Sequence, residues 1–293
     1  MHPSLPANGP IGHAAIRKAA AALCMAEAGT SSPARLISPL CDERLSGDEL
    51  ATKIEAHPVL SARVLQVANS PYYGQVKSVS TIKRALQLLG VNAIRGIAAA
   101  AFIDQMIPRR IATLPDIPSF LRHSLATAIV CEMLAARIDP LLAPNAFIAG
   151  LIHNLGTIIQ ASLDPAGSAA LIAARASDPC GDIRALEQQH CQLHHEMCGG
   201  VLFDAWHLPD SLVSVAMHHH GPDDAPDPHR RLVGLVWVGA NVALACANTF
   251  SLEPAIGALD YAKILAVGLR KDQIDAVADE LPERVEQLSR ALA

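Results

Sequence analysis

Residues that open α-helices recur along this chain at the head of short apolar stretches, and that recurrence points to a helical fold. Ser46 precedes Gly47 to Glu55, Pro58 stands at the front of His57 to Ala68, and Ser80 precedes Ile82, Ala85, Leu86 and Leu89. A capping hydroxyl or an early proline followed by apolar residues three and four apart is how an amphipathic helix begins. Asn92 opens a further apolar stretch to Met106. Longer ones follow at Ser119 to Ile138, Pro144 to Gln160, Pro165 to Ala176, Asp182 to Trp206, Pro209 to His219, His229 to Ala247, Pro254 to Val267 and Lys271 to Ala293. The chain is 51% hydrophobic with only 3% aromatic residues, and an apolar share dominated by Ala and Leu favours helix over sheet. The expected fold class is all-α.

Proline and charge divide the chain. Residues 1–30 read as an N-terminal extension with Pro3, Pro6 and Pro10 at its front and a helix around Ala14 to Ala28. Residues 31–107 read as an N-terminal helical subdomain, and 108–118, with three prolines and the pair Arg109 and Arg110, as a linker. A second helical subdomain is expected over 119–250, followed by C-terminal helices over 251–293. A formal charge of −5 gives no general basic field, so direct nucleic-acid binding is not expected. Seven cysteines without a Cys-x-x-Cys pair read as reduced thiols. Met1 to Pro10 does not resemble a secretory signal. Leu232 to Ala247 is interrupted by Asn241 and is shorter than the ~20 residues of a spanning helix. The cytoplasm, with no membrane contact, is the expected location.

Thirteen histidines stand out. His123, His153, His195 and the run His218, His219, His220 fall on or beside separate helices, a distribution suited to convergence inside a bundle. In one continuous helix, Gly150, His153, Asn154 and Thr157 would share a sector. Taken singly, each histidine is more simply a core or surface residue with its own hydrogen-bond partner.

The order of these residues resembles a family. Phe120-Leu-Arg-His123, Phe147-Ile-Ala-Gly-Leu-Ile-His153-Asn154-Leu-Gly156, His195-Glu-Met-Cys-Gly199 leading to Trp206-His-Leu-Pro209, and His218-His219-His220-Gly-Pro222 are similar to the HD-superfamily core in its HDOD version. Upstream, His57-Pro58-Val-Leu60, Ala68-Asn69-Ser70-Pro-Tyr-Tyr-Gly74 and Leu89-Gly90-Val91-Asn92 resemble the HDOD N-terminal signature. The likeness covers about residues 33 to 250.

What the resemblance implies is a degenerate relative of metal-dependent phosphohydrolases. Those enzymes hold metal with histidines and aspartates, and a bridged metal pair needs anionic ligands to offset the repulsion between its ions. Here Asn154 stands in the His-Asp doublet and Asn241 where the late aspartate is expected. Thr157 replaces the lysine of the cyclic-diguanylate phosphodiesterase branch, and no Gly-Tyr-Pro occurs. His123, His153, Asn154, His195, His219, His220 and Asn241 are therefore read as a degenerate pocket without catalytic residues, expected cofactor or resident metal. The bland reading makes them a hydrogen-bonded polar core; an adventitious transition metal on the imidazoles is the alternative. The implied role is a non-catalytic regulatory module acting on signalling proteins in trans. A weak metal-dependent phosphohydrolase and a nucleotide-binding sensor are the competing readings.

Cys191, His194, His195 and Cys198 would lie on one face of a single helix, an arrangement better suited to packing than to zinc. Asn69, Ser70, Tyr72, Tyr73 and Gly74 suggest a pocket, with a helix end and turn as the simpler reading.

Overall fold

A computed structural model describes residues 12–23, 39–40, 42, 44–70, 73, 79–106, 117–140, 142–246, 248, 250, 253 and 260–292. The described residues are helical, with no strand among them. In chain order the helices are α1 (His13–Leu23), α2 (Gly47–Glu55), α3 (Pro58–Ala68), α4 (Ile82–Met106), α5 (Ile117–Ile138), α6 (Ala143–Ile152), α7 (Gly156–Leu163) and α8 (Pro165–Ser177). They continue as α9 (Ile183–His190), α10 (His195–Ala205), α11 (Asp210–His218), α12 (Asp227–Ala245), α13 (Tyr261–Val267) and α14 (Lys271–Leu292). Most of the expected linker, and residues 24–38, 74–78 and 254–259, lie outside the described set.

The capping signals work as read in the first half. Ser46 and Glu49 form a reciprocal capping box at α2, with Glu49 N donating to Ser46 Oγ at 3.3 Å and Ser46 N to Glu49 Oε2 at 2.9 Å. Asn69 ends α3 and turns the chain: its Oδ1 accepts from Val79 N at 2.7 Å, and its Nδ2 donates to Val79 O at 2.8 Å. Gly90, at φ +84°, breaks α4 where a side chain would be strained.

The second half is built around α5, whose residues from His123 to Ala135 are almost all buried between α6, α12 and α14. Close approach depends on Gly150, because a Cβ there would sit 2.9 Å from both Ala128 Cα and Thr127 O on α5. The first and last described helices do not form separate layers. Helix α1 packs on α10 and α7, with Arg17 paired to Asp204, while α14 packs on both α5 and α3 and so ties the two halves together. The apolar stretch Asn145–Leu163, long enough in itself to cross a membrane, is 89% buried inside this bundle.

Two helices expected to be continuous are broken, and both breaks matter. Between α6 and α7 the ladder tightens to three-residue bonds, Leu155 N to Ile152 O at 3.0 Å and Thr157 N to Asn154 O at 3.0 Å. Between α9 and α10 the chain is extended at Cys191 and His194. That break is held by Gln192 N donating to Asp164 Oδ2 at 2.7 Å and Gln160 Nε2 donating to Leu193 O at 2.7 Å. Apolar periodicity runs through both breaks, so the pattern alone cannot reveal them. Cys191 therefore lies outside the helix that His195 begins, which removes the single-face arrangement of Cys191, His194, His195 and Cys198.

Candidate histidine site

The two breaks deliver the histidines. His153 and Asn154 sit in the turn after α6, His195 is the first residue of α10, His219 and His220 follow α11, and His123 faces inward from α5. Gly156 brings the turn against α10 so closely that a Cβ there would lie 2.0 Å from His195 O and 2.4 Å from Gly199 N. The rings form a row: centroids are 5.5 Å apart for His123 and His153, 5.1 Å for His153 and His219, 5.1 Å for His219 and His195, and 5.0 Å for His195 and His220. His123, His153, His195 and His219 are each 4% exposed or less.

Each of these four rings uses Nδ1 on its surroundings. His123 Nδ1 donates to Asn248 O at 3.0 Å, His153 Nδ1 to Gly150 O at 2.7 Å, and His219 Nδ1 to Ala216 O at 3.1 Å. His195 Nδ1 donates to Glu187 Oε1 at 2.7 Å. A carbonyl or carboxylate acceptor fixes the proton on Nδ1 and leaves Nε2 to face the interior.

The Nε2 atoms meet in two sets. Those of His219 and His220 lie 3.1 and 3.2 Å from His195 Nε2. One proton on His195 Nε2, donated to both neighbours, turns these contacts into hydrogen bonds and makes His195 an imidazolium. Burial opposes that charge, but the Glu187 carboxylate outweighs it and lifts the His195 pKa to about 9. Burial likewise works against ionised Glu187, yet His195, His194 and Gln160 hold it below the usual carboxylate range. His219, buried and beside His195, is pushed down to about 3, and burial also keeps His123, His153 and His220 neutral.

The second set comprises His123, His153 and Glu253, whose ligand atoms all lie within 4.8 Å of one another. Nε2 of His123 and Nε2 of His153 are buried without a hydrogen-bond partner among the described residues. Asn154 Nδ2 donates to Glu253 Oε1. Burial raises the pKa of Glu253, but His123, His153 and His219 lower it by more, so the net shift is downward.

Glu253 and Glu187 are the residues that sequence reasoning missed. Glu187 could have been found, since it shares the inward face of α9 with Ile183 one turn earlier, and both are buried. Glu253 gave no such signal, standing beside a proline in a segment read only as a helix start. One expected member is not brought in: Asn241 is half-buried on α12 and donates its Nδ2 to Trp237 O one turn back, at 2.7 Å. A satisfied helix-backbone bond takes the place of the expected pocket role.

These residues fit a metal of the kind HD-type proteins hold only in part. Two partnerless imidazole nitrogens beside a carboxylate suit a single transition-metal ion. A bridged pair would need a bridging anion, and at the doublet position where the resemblance implies a carboxylate this chain has the Asn154 amide, whose N–H is donated to Glu253. The small pocket beside the row, lined by Asn154, Thr157, Gln160, Glu187, His220 and Glu253 among others, has room for a water molecule or a bare ion.

Residues 31–222 match the family model of the HDOD domain. A crystal structure from Shewanella amazonensis SB2B named "putative phosphohydrolase" superposes with a TM-score of 0.72 at 23% identity, covering 96% of this chain and 100% of that one. An HDOD domain protein with unknown function from Geobacter sulfurreducens gives 0.70 at 21%, covering 95% and 96%. A "putative signal transduction protein" from Marinobacter aquaeolei VT8 gives 0.73 at 20%, covering 99% and 67%. Among curated proteins, an uncharacterized protein of Treponema pallidum (strain Nichols) is 22% identical over 189 residues, 64% of this chain and 36% of that protein, so the chain spans about a third of that relative's length.

Proposed function

Since the chain belongs to the HDOD domain family, we propose that it is a cytoplasmic regulatory domain that works by binding signalling proteins in trans, with its histidine row serving structure and state rather than phosphoester hydrolysis. The observation that carries this reading is closure. Four of the five rings are buried and His220 is half-buried, and among the described residues the pocket beside them has room for a water or an ion rather than a phosphoester. A hydrolase must seat its substrate within contact of the metal-activated nucleophile. Closure also weighs against the nucleotide-sensor reading, which would need the bundle to open.

The competing hydrolase reading is favoured by one feature, the buried carboxylate of Glu253 beside two imidazoles. An assay of untagged protein against a generic phosphodiester and cyclic diguanylate with added Mn2+ separates the two. Background rates are expected throughout. Turnover that disappears in His153→Ala would overturn the regulatory reading.

A further inference from the structure

From the His123 end of the histidine row we infer that His123, His153 and Glu253 form a mononuclear site for a late first-row divalent ion such as Zn2+, with Glu253 supplying the anionic charge that Asn154 and Asn241 lack. The inference rests on the regulatory reading in one respect: the ion is taken as a clasp that reports metal state, not as a reaction centre.

Three observations converge. First, the two imidazole nitrogens are preset as ligands, because each Nδ1 is committed to a backbone carbonyl, at 3.0 Å for His123 and 2.7 Å for His153. Their tautomer leaves a lone pair on Nε2, and metal-binding histidines are commonly oriented in this way. Second, both Nε2 atoms are buried without a partner among the described residues. Leaving one such atom unpaired costs on the order of 1–3 kcal/mol, so two at one spot mark a place for a third party. Third, a carboxylate lies within 4.8 Å of both, and it comes from a separate part of the chain. Two neutral imidazoles and one carboxylate leave a net charge of one on a bound divalent ion, far less costly to bury than two.

The other end of the row is not an equivalent site. His195, His219 and His220 also cluster within 4.8 Å, but a single proton on His195 satisfies all three Nε2 atoms at 3.1 and 3.2 Å. Mg2+ is not a candidate for either set, since it prefers oxygen ligands in an octahedron. An ion at the proposed site would add a direct link among three elements already joined by the His123–Asn248 and Asn154–Glu253 hydrogen bonds: α5 through His123, the α6–α7 turn through His153, and the segment after α12 through Glu253.

The test uses untagged full-length protein, stripped with a chelator and titrated with Zn2+ by calorimetry, with metal content measured by mass spectrometry and the ligand set by X-ray absorption. One Zn2+ per chain with two imidazoles and oxygen ligands is expected, together with a raised Tm. Glu253→Gln retains an acceptor for Asn154 but removes the charge, and should weaken Zn2+ binding by about 100-fold with unchanged circular dichroism. No stoichiometric binding overturns the inference. So does a site with three imidazoles, which would move the ion to His195, His219 and His220; the absorption measurement decides this on the natural sequence even if the variant fails to fold. Phosphodiesterase turnover by the Zn2+ form would sink the regulatory reading while leaving the site standing. An empty protein without turnover would do the reverse.

Discussion

The two ends of the histidine row use the same side chain in the same tautomeric frame and finish differently. At the His195 end a buried carboxylate, Glu187, is bonded to Nδ1, and the positive charge it stabilises is shared through Nε2 with His219 and His220. At the His123 end the Nδ1 partners are neutral carbonyls, the carboxylate of Glu253 stands on the Nε2 side, and no proton is supplied. The difference shows that where a carboxylate sits relative to an imidazole decides what the ring does. Behind it, the carboxylate makes a cation; in front of it, it makes half of a ligand set.

The most direct way to break this contrast is to remove the charge behind His195. Glu187→Ala leaves the buried imidazolium without its counter-ion and Gln160 Nε2 without one of its acceptors. Loss of one partner from a buried pair costs about 3–5 kcal/mol, measurable by urea denaturation. A loss below about 1 kcal/mol would mean that the His195 end is not held by charge.

The same pair predicts a pH dependence confined to one side. His195 has a folded pKa of about 9 against an ordinary value of 6.5, so the folded state holds the proton more tightly. The stabilisation is complete below pH 6.5 and is lost as pH rises through 9. Groups acting on that proton are Glu187, Glu196 and Glu253, which favour it, and His219 and His220, whose rings lie against it. In metal-free protein the alkaline loss should be on the order of 3 kcal/mol, and Glu187→Gln should flatten it. A slope that survives in that variant would assign the titration elsewhere.

Gly156 tests whether the two ends depend on each other. It is the point where the turn bearing His153 meets the start of α10 bearing His195, and any side chain there collides with backbone rather than with a movable group. Gly156→Ala should cost about 3 kcal/mol and shift the ring protons of both His153 and His195 in NMR spectra. A variant that perturbs only one end would show that the ends are independent sites sharing a bundle.

How much of this was legible in the sequence follows from the kind of signal each feature leaves. The helical class and the residues that converge, His123, His153, Asn154, His195, His219 and His220, were readable because caps and periodicity place helices and the motif order ties them together. The breaks after Ile152 and His190 were not, because hydrogen bonds from Gln160, Gln192 and His153 make them and apolar patterning is blind to such bonds. Asn241 was misplaced for a related reason: an asparagine on a helix can satisfy itself on its own backbone, as it does at Trp237. Glu253 was invisible because tertiary contact alone sets its role.

The smallest expected effect lies outside the row and serves as the control for it. Asn69 belongs to the N-terminal half, where it holds both backbone groups of Val79 and also donates to Leu65 O at 2.8 Å. Asn69→Ala removes these bonds at an exposed position, where water can replace part of what is lost, so the cost should be about 1–2 kcal/mol. Because the Asn69 contacts close the chain between α3 and α4 and touch none of the imidazoles, the alkaline slope and Zn2+ binding should be unchanged in this variant. If instead the slope flattens, the two halves are coupled through α14, which packs on both α3 and α5, and the histidine row reports on the N-terminal half as well as on its own surroundings.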